Sequence, residues 1–186
     1  MLESLLTEIR QCTVCEPHLP LGANPVIRAH PAAKILIIGQ APGTKVHNTS
    51  IPWNDASGER LRQWLGLDRE AFYCEENVAI MPMGLCYPGK GRSGDLPPRK
   101  ECAPLWHAKV LEQLPNRQLT LLIGQYAQHY YLSDKPETVQ QWQRWAPSVL
   151  PLPHPSPRNT LWLRNHPWFE QDIVPYLRQR VKQVLT

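Results

Sequence analysis

The sequence predicts an α/β fold, a three-layer αβα sandwich around a central four-stranded parallel sheet. Four short apolar segments carry this prediction, and helical patterns separate them along the chain. Strands that alternate with helices form parallel sheets covered on both faces, with ligands bound at the carboxyl ends of the strands. A length of 186 residues matches one ordinary domain, so we expect residues 1–186 to form a single unit.

The first half of the chain contains two predicted helices and two predicted strands. Apolar residues at helical spacing predict a helix over residues 2–11. Residues 34–38 are too few for a buried helix and rich in isoleucine, which favours a buried parallel strand. The next helix is expected to begin at Ser57, a good N-cap residue, and to end at Gly66. Residues 77–83 form the second predicted strand.

The second half of the chain alternates in the same way. The predicted elements are a loop rich in glycine and proline over 84–98, a helix over 99–114, a strand over 119–123, helices over 125–132 and 136–145, a strand over 149–152 and an amphipathic helix over 167–184. A loop as long as residues 84–98 is uncommon in a compact domain unless it is functional or held in place.

The composition favours a phosphate-bearing partner. Lysine and arginine number 20 against 16 aspartate and glutamate residues, a formal charge of +4. The sequence has no run of about 18 apolar residues and no signal peptide, so we expect a cytoplasmic protein with no membrane association. We also expect a monomer. Five cysteines without an export signal indicate thiols or metal ligands rather than a disulfide framework.

Two loops that follow predicted strands are expected to meet at one edge of the sheet. Residues 39–43 read GQAPG after the first strand, and residues 154–159 read HPSPRN after the last. This pair resembles motifs one and two of the uracil-DNA glycosylase superfamily. The first is similar to the GEAPG of the iron-sulfur family 4 enzymes, with Gln40 in place of glutamate, and the second to the single-strand-selective branch. The resemblance implies that the base is bound by Gly39, Ala41, Pro42 and Gly43.

The resemblance implies a DNA glycosylase of base-excision repair. Such an enzyme flips a deaminated base, uracil in the first instance, out of its DNA partner and hydrolyses the N-glycosidic bond. Positive charge develops on the sugar and negative charge on the base. We therefore expect His154 to donate a hydrogen bond to the base and Gln40 to orient a water. Asp55 resembles an aspartate of family 5 and is expected to activate water or balance the sugar charge; the alternative is a helix N-terminal charge.

Further residues are expected to hold the base and the DNA. The segment Ile-Pro-Trp53 lies where family 4 has Arg-Pro-Phe, which implies that Trp53 stacks on the flipped base; core packing is the alternative. Residues 81–83, Met-Pro-Met, stand where uracil-specific members have an asparagine, so hypoxanthine and xanthine remain open as substrates. Asn48 is a possible substitute reader. The expected DNA contacts are Ser156, Arg158, Asn159, Leu161 and Trp162, with Lys45, Lys90 and Arg92 as further phosphate candidates.

Four cysteines form a candidate metal site. Cys12 and Cys15 make a CxxC pair, and Cys86 and Cys102 flank the proline-rich loop. The arrangement resembles that of family 4, which implies a [4Fe-4S] cluster, although four thiolates also bind zinc. Cys74 has no place in the pattern and is expected to be a buried apolar side chain.

Two other classes of function stay open on the sequence alone. Neither Gln40 nor Ala41 is a carboxylic acid, which leaves room for a non-catalytic, metal-bearing module that binds DNA lesions. A thiolate-metal redox protein without nucleic acid would use the same cysteines, and salt-dependent DNA binding would argue against it.

Overall fold

A four-stranded parallel sheet forms the centre of the computed structural model, which describes residues 1–132 and 138–186. The strands are β1 (Ile35–Ile38), β2 (Val78–Ile80), β3 (Lys90–Gly91), β4 (Gly94–Asp95), β5 (Leu119–Ile123) and β6 (Val149–Leu152). The sheet has the order β2-β1-β5-β6, and every neighbouring pair is parallel. Strands β3 and β4 form a separate antiparallel hairpin. The four predicted sheet strands are thereby confirmed.

Helices cover both faces of this sheet. They are α1 (Leu2–Arg10), α2 (Thr44–Thr49), α3 (Ala56–Leu65), α4 (Arg69–Phe72), α5 (Ala108–Glu112), α6 (Gln125–Leu132), α7 (Thr160–Asn165) and α8 (Val174–Leu185). Wide π turns precede α5 (Ala103–His107) and α8 (Phe169–Ile173). Single 3-10 turns lie at Glu16–His18, Trp142–Arg144 and Pro157–Asn159. No helix within the described part of the chain is long and apolar enough to span a membrane.

The side chains of β1 alternate between two apolar layers. Ile35 and Ile37 pack in a core cluster with residues of α3 and α8. Leu36 and Ile38 pack in a second cluster with residues of α1 and α5. All four side chains are fully buried. A strand that is apolar on both faces is typical of a parallel sheet between two helical layers, and the three-layer sandwich is confirmed.

Three predicted helices differ from the structure. The helix predicted over 136–145 is wrong for residues 138–145, where successive i to i+3 backbone hydrogen bonds make turns that pack Trp142 against Tyr176; residues 136 and 137 lie outside the described residues. The helix predicted over 99–114 is helical only from Ala103 to Glu112. The predicted N-cap at Ser57 is also wrong, because α3 is capped two residues earlier by Asp55.

A buried glutamine joins the carboxyl ends of two strands. The Gln128 side-chain nitrogen donates to the Leu122 carbonyl at 3.0 Å and to the Leu152 carbonyl at 2.9 Å. Leu122 lies in β5 and Leu152 ends β6, so one amide on α6 fixes both strands next to the loop that follows β6. Buried hydrogen bonds of this kind are costly to remove because their acceptors lose water as well.

We expect Gln128→Met to lower the free energy of unfolding by about 1 to 3 kcal/mol, because it removes both hydrogen bonds at nearly constant volume. Urea unfolding followed by circular dichroism measures this change. Gln125→Met is the matched control, since Gln125 lies on the same helix and is exposed. Equal stability of the two variants would contradict a tethering role for Gln128.

Candidate active site

A cleft of about 440 Å³ lies at the carboxyl ends of β1 and β6. Most of its lining comes from the loop after β1, the start of α3, the β3–β4 hairpin and the loop after β6, and the end of β2 also contributes. The lining residues include Gly39, Gln40, Ala41, Pro42, Gly43, Trp53, Asp55, Ser57, Lys90, Ser93, Gly94, Asp95, His154, Ser156, Arg158 and Asn159. The structure thus brings the two motif loops together, because β5 alone separates their strands in the sheet.

His154 is held as a neutral imidazole with a defined tautomer. Its Nδ1 accepts a hydrogen bond from the Ser156 backbone N–H at 3.1 Å, and Asn159 donates to the His154 carbonyl at 2.7 Å. An accepting Nδ1 places the ring proton on Nε2. Burial lowers the pKa of His154, although Asp55 nearby acts in the opposite direction. At neutral pH the ring therefore offers an Nε2–H donor without a full positive charge.

Trp53 lies across the glycine that opens motif one. Its backbone has φ of 59°, a left-handed conformation that is rare for a bulky residue and costs free energy. A Cβ at Gly39 would lie 2.8 Å from the Trp53 ring, so only glycine fits there. The Trp53 and His154 ring centroids are 5.7 Å apart. Trp53 also packs against the core cluster, so it serves the core and the cleft together.

A buried arginine holds the Trp53 loop in this conformation. Arg62 is only 5% exposed, and its guanidinium donates to the Trp53 carbonyl at 3.1 Å and to the Tyr73 hydroxyl at 3.2 Å. The Tyr73 hydroxyl donates in turn to the Pro52 carbonyl at 2.7 Å. A Cβ at Gly58 would overlap the Trp53 carbonyl. Sequence reasoning missed Arg62; the available signal was a cation next to Leu61 on the apolar face of α3.

Asp55 caps α3, as the alternative interpretation of this residue expected, and its place in the cleft leaves the catalytic role a prediction. Its carboxylate accepts a hydrogen bond from the Gly58 backbone N–H at 2.8 Å and so caps α3. It also lines the cleft and lies near enough to His154 to affect the pKa of that ring. A separate contact fixes the main chain of motif one: the Gly84 N–H donates to the Gln40 carbonyl at 2.9 Å.

A second carboxylate, Asp95, enters the cleft from the β3–β4 hairpin and was missed by the sequence analysis. A Cβ at Gly43 would lie 3.6 Å from an Asp95 carboxylate oxygen, which places Asp95 opposite motif one. Burial raises the pKa of Asp95, while Arg158 and Lys90 act in the opposite direction. The signal that could have located the hairpin is the turn sequence between two glycines, residues 91–94.

Arg158 binds this hairpin. Its guanidinium donates to the Ser93 carbonyl and lies so close to Gly94, which has φ of 111°, that a side chain there would collide with it. The structure therefore joins Arg158 to the hairpin, where the sequence analysis expected only a phosphate contact. The Ser156 hydroxyl accepts from the Arg158 N–H and caps the following 3-10 turn, and the Ser156 carbonyl accepts from the Arg60 guanidinium at 3.2 Å.

The remaining predicted contacts separate into exposed and packed residues. Leu161 on α7 is 62% exposed and is not part of the cleft lining. Trp162 stacks on His166 with ring centroids 4.2 Å apart and also contacts Trp168, so it anchors α7. Asn48 is exposed on α2 and is absent from the cleft lining, where Val46 of the same helix is present. The expectation that Asn48 reads the base is therefore not supported.

The four predicted cysteine ligands line a second, smaller cavity. Cys15, Cys86 and Cys102 are buried and Cys12 is half-buried; Arg99 and Trp106 also line this cavity. Burial raises the pKa of Cys86 and of Cys102 to about 11. Within residues 1–132 and 138–186, no group of three or more His, Cys, Asp or Glu side chains is arranged to hold a metal ion.

The chemistry of the cysteine cavity suits an electron-rich group. The Trp106 indole Nε1 and the Arg99 Nε are buried, and neither has a hydrogen-bond acceptor. Four thiols and two unpaired N–H donors around one cavity fit a metal group bound through sulfur, since the thiols would supply ligands and the donors would face acceptors. Cys74 is half-buried and is not part of this lining.

A comparison with protein-family models places this fold and cleft among known proteins. The model described as the Uracil DNA glycosylase superfamily matches residues 28–178. The match includes both motif loops, Asp55 and the hairpin, and it begins after Cys12 and Cys15. Members of this superfamily are DNA glycosylases, so the match implies DNA glycosylase activity in base-excision repair. Because the match covers most of the sequence, the chain belongs to the uracil DNA glycosylase superfamily.

Proposed function

We propose that this protein takes a deaminated base, uracil in the first instance, from DNA into the cleft and hydrolyses its N-glycosidic bond. The observation that carries the proposal is the defined tautomer of His154, whose Nε2–H is available beside a carboxylate, Asp55, in one cleft. A volume of about 440 Å³ lies in the usual range for small-ligand sites and is sufficient for a base.

Charges of opposite sign develop at the two ends of the breaking N-glycosidic bond, so each end needs a different stabilising group. Negative charge grows on the departing base, and the His154 Nε2–H is the donor that stabilises it. Positive charge grows on the sugar, and the Asp55 carboxylate balances it or accepts a proton from the attacking water. Gln40 lies in the same cleft and positions that water through its amide. The neutral ring suits this role, because it donates a hydrogen bond without transferring a proton to the base.

The base is held by stacking and by its polar edge. Trp53 provides the aromatic surface, and base stacking contributes about 1 to 3 kcal/mol in such sites. The Pro82 carbonyl lies just after β2, but it already forms a hydrogen bond of 2.9 Å with the His107 Nε2. Asp95 is then the side chain that faces the base from the hairpin. A carboxylate accepts hydrogen bonds from N–H groups, which keeps hypoxanthine and xanthine as alternative substrates.

We assign the DNA contacts to predicted residues whose side chains are exposed. Leu161 is exposed, follows the cleft residue Asn159 by two positions and is the wedge that fills the space left by the flipped base. Lys90 on the hairpin is exposed in the cleft lining and is a contact for a phosphate next to that base. Arg158 contributes to DNA binding in two ways: it holds the hairpin in place, and its own charge attracts phosphate.

We further propose that Cys12, Cys15, Cys86 and Cys102 hold a [4Fe-4S] cluster, as in the iron-sulfur type of this superfamily. A [4Fe-4S] cluster binds four cysteine thiolates around one site, and these four cysteines share one cavity. When bound, the cluster supplies cross-links rather than catalysis. It ties the N-terminal segment to the loop that carries the hairpin and Asp95.

We expect His154→Ala to slow base release by about 10² to 10³-fold, because it removes one preorganised donor to the developing charge. Single-turnover assays on oligonucleotides with uracil, hypoxanthine or xanthine measure the rate, and a binding assay should give a nearly unchanged Kd. The control is His30→Ala, since His30 precedes β1 at the opposite edge of the sheet. A wild-type rate for His154→Ala would exclude His154 as the donor.

We expect Asp55→Asn to slow base release by about 100-fold or more while leaving stability unchanged. Asparagine caps a helix as well as aspartate does, so the substitution removes the charge and keeps the start of α3. Asp68→Asn is the matched control, because Asp68 caps α4 through the same contact, with Ala71 N–H at 2.8 Å. If Asp55→Asn cleaves at the wild-type rate, then Gln40 and backbone groups hold the attacking water without Asp55.

We expect the purified protein to contain iron and to absorb at about 400 nm, and Cys86→Ser to lose both. Iron and acid-labile sulfide analysis measures the content. Cys74→Ser should keep the wild-type content, since Cys74 is not part of the cysteine cavity. A colourless protein with stoichiometric zinc would show that the four cysteines bind zinc and not an iron-sulfur cluster. Loss of iron in Cys74→Ser would show that the proposed set of ligands is wrong.

A further inference from the structure

Unpaired donors concentrate around the cysteine cavity. Four buried side-chain nitrogens in the described residues have no hydrogen-bond partner: Arg28 Nε, His47 Nδ1, Arg99 Nε and Trp106 Nε1. Arg99 and Trp106 both line the cavity of the four cysteines. Buried donors are nearly always paired, and each exception calls for an explanation such as an unseen ion or group.

The position of Trp106 suits a donor to a group in this cavity. Its side chain is only 7% exposed and packs in the same core cluster as Cys102 and Leu85. The wide π turn Ala103–His107, which directly follows Cys102, carries it. Such π turns occur frequently at functional sites. The exposed Lys109 ammonium lies 5.4 Å from the centre of the Trp106 ring.

Arg99 contributes a second donor and a charge. One guanidinium nitrogen forms an ion pair with Glu101 at 2.8 Å. The guanidinium shares the cavity lining with the Cys15 thiol. The Nε–H remains without an acceptor. Arg99 is therefore held by Glu101, with one N–H left beside the cysteines.

We propose that the Trp106 Nε1–H and the Arg99 Nε–H donate hydrogen bonds to sulfur atoms of the cluster and so set its reduction potential and its resistance to loss. This inference rests on the proposed [4Fe-4S] cluster. A cluster with four thiolate ligands carries net negative charge, and reduction increases that charge. Donors to its sulfur atoms stabilise the reduced form more than the oxidised form, which raises the potential.

The test compares Trp106→Phe with Trp142→Phe. Trp142 is a half-buried tryptophan that packs against Tyr176 and does not line the cysteine cavity. Spectroscopically monitored redox titration gives the midpoint potential, and the decay of the cluster absorbance in excess chelator gives the rate of loss. We expect Trp106→Phe to have a lower potential and a several-fold faster loss, with Trp142→Phe equal to wild type. Arg99→Met should change both quantities in the same direction.

A measurement on the wild-type protein covers the case in which Trp106→Phe does not fold. Resonance Raman spectra of the iron-sulfur stretching modes in H₂O and D₂O report N–H to sulfur hydrogen bonds, and we expect a shift between the two solvents. Iron-containing protein with no solvent shift, and with unchanged potential in Arg99→Met, would overturn this inference and leave the cluster intact. Wild-type protein without iron would overturn the proposed cluster and this inference together.

Discussion

The order of the parallel sheet is the constraint on which the rest of the structure depends. Because β5 lies between β1 and β6, the loops that follow those two strands meet across its end. One buried amide, that of Gln128, bonds to carbonyls of β5 and β6 and keeps this edge in register. Motif one is held by the Gly84 N–H, which donates to the Gln40 carbonyl, and motif two by its own contacts, such as Ser156 N–H to His154.

The cleft is rigid where chemistry requires it. The strained backbone of Trp53 persists because Arg62 and Tyr73 hold the carbonyls of Pro52 and Trp53. His107, buried and with its pKa lowered by burial, joins the Tyr131 hydroxyl at 2.5 Å to the Pro82 carbonyl at the end of β2. The hairpin that carries Asp95 is attached to motif two through Arg158. Each wall of the cleft is thus supported by hydrogen bonds behind it, which is the condition for electrostatic preorganisation.

The sequence predicts the elements whose signal is local. The strands are short apolar runs, and the motif loops follow them directly, so the sheet and the position of His154 could be predicted from the sequence. Features that depend on tertiary packing could not be predicted in this way. The turns around Trp142 follow from its packing on Tyr176, which overrides a helical pattern. Asp55 displaces Ser57 as the cap of α3 because Gly58 can approach the Trp53 carbonyl. Asp95 and Arg62 carry no motif, and only the folded chain brings them to the cleft or its support.

The central claim is that this cleft cleaves an N-glycosidic bond and does more than bind a damaged base. The most direct measurement is mass spectrometry of the products after the protein is incubated in excess with oligonucleotides that contain a single uracil, hypoxanthine or xanthine. The account predicts a free base and a strand with one abasic site for at least one of these substrates. Salt-dependent binding of the same oligonucleotides with no base released from any of them would contradict it and would identify a lesion-binding module instead.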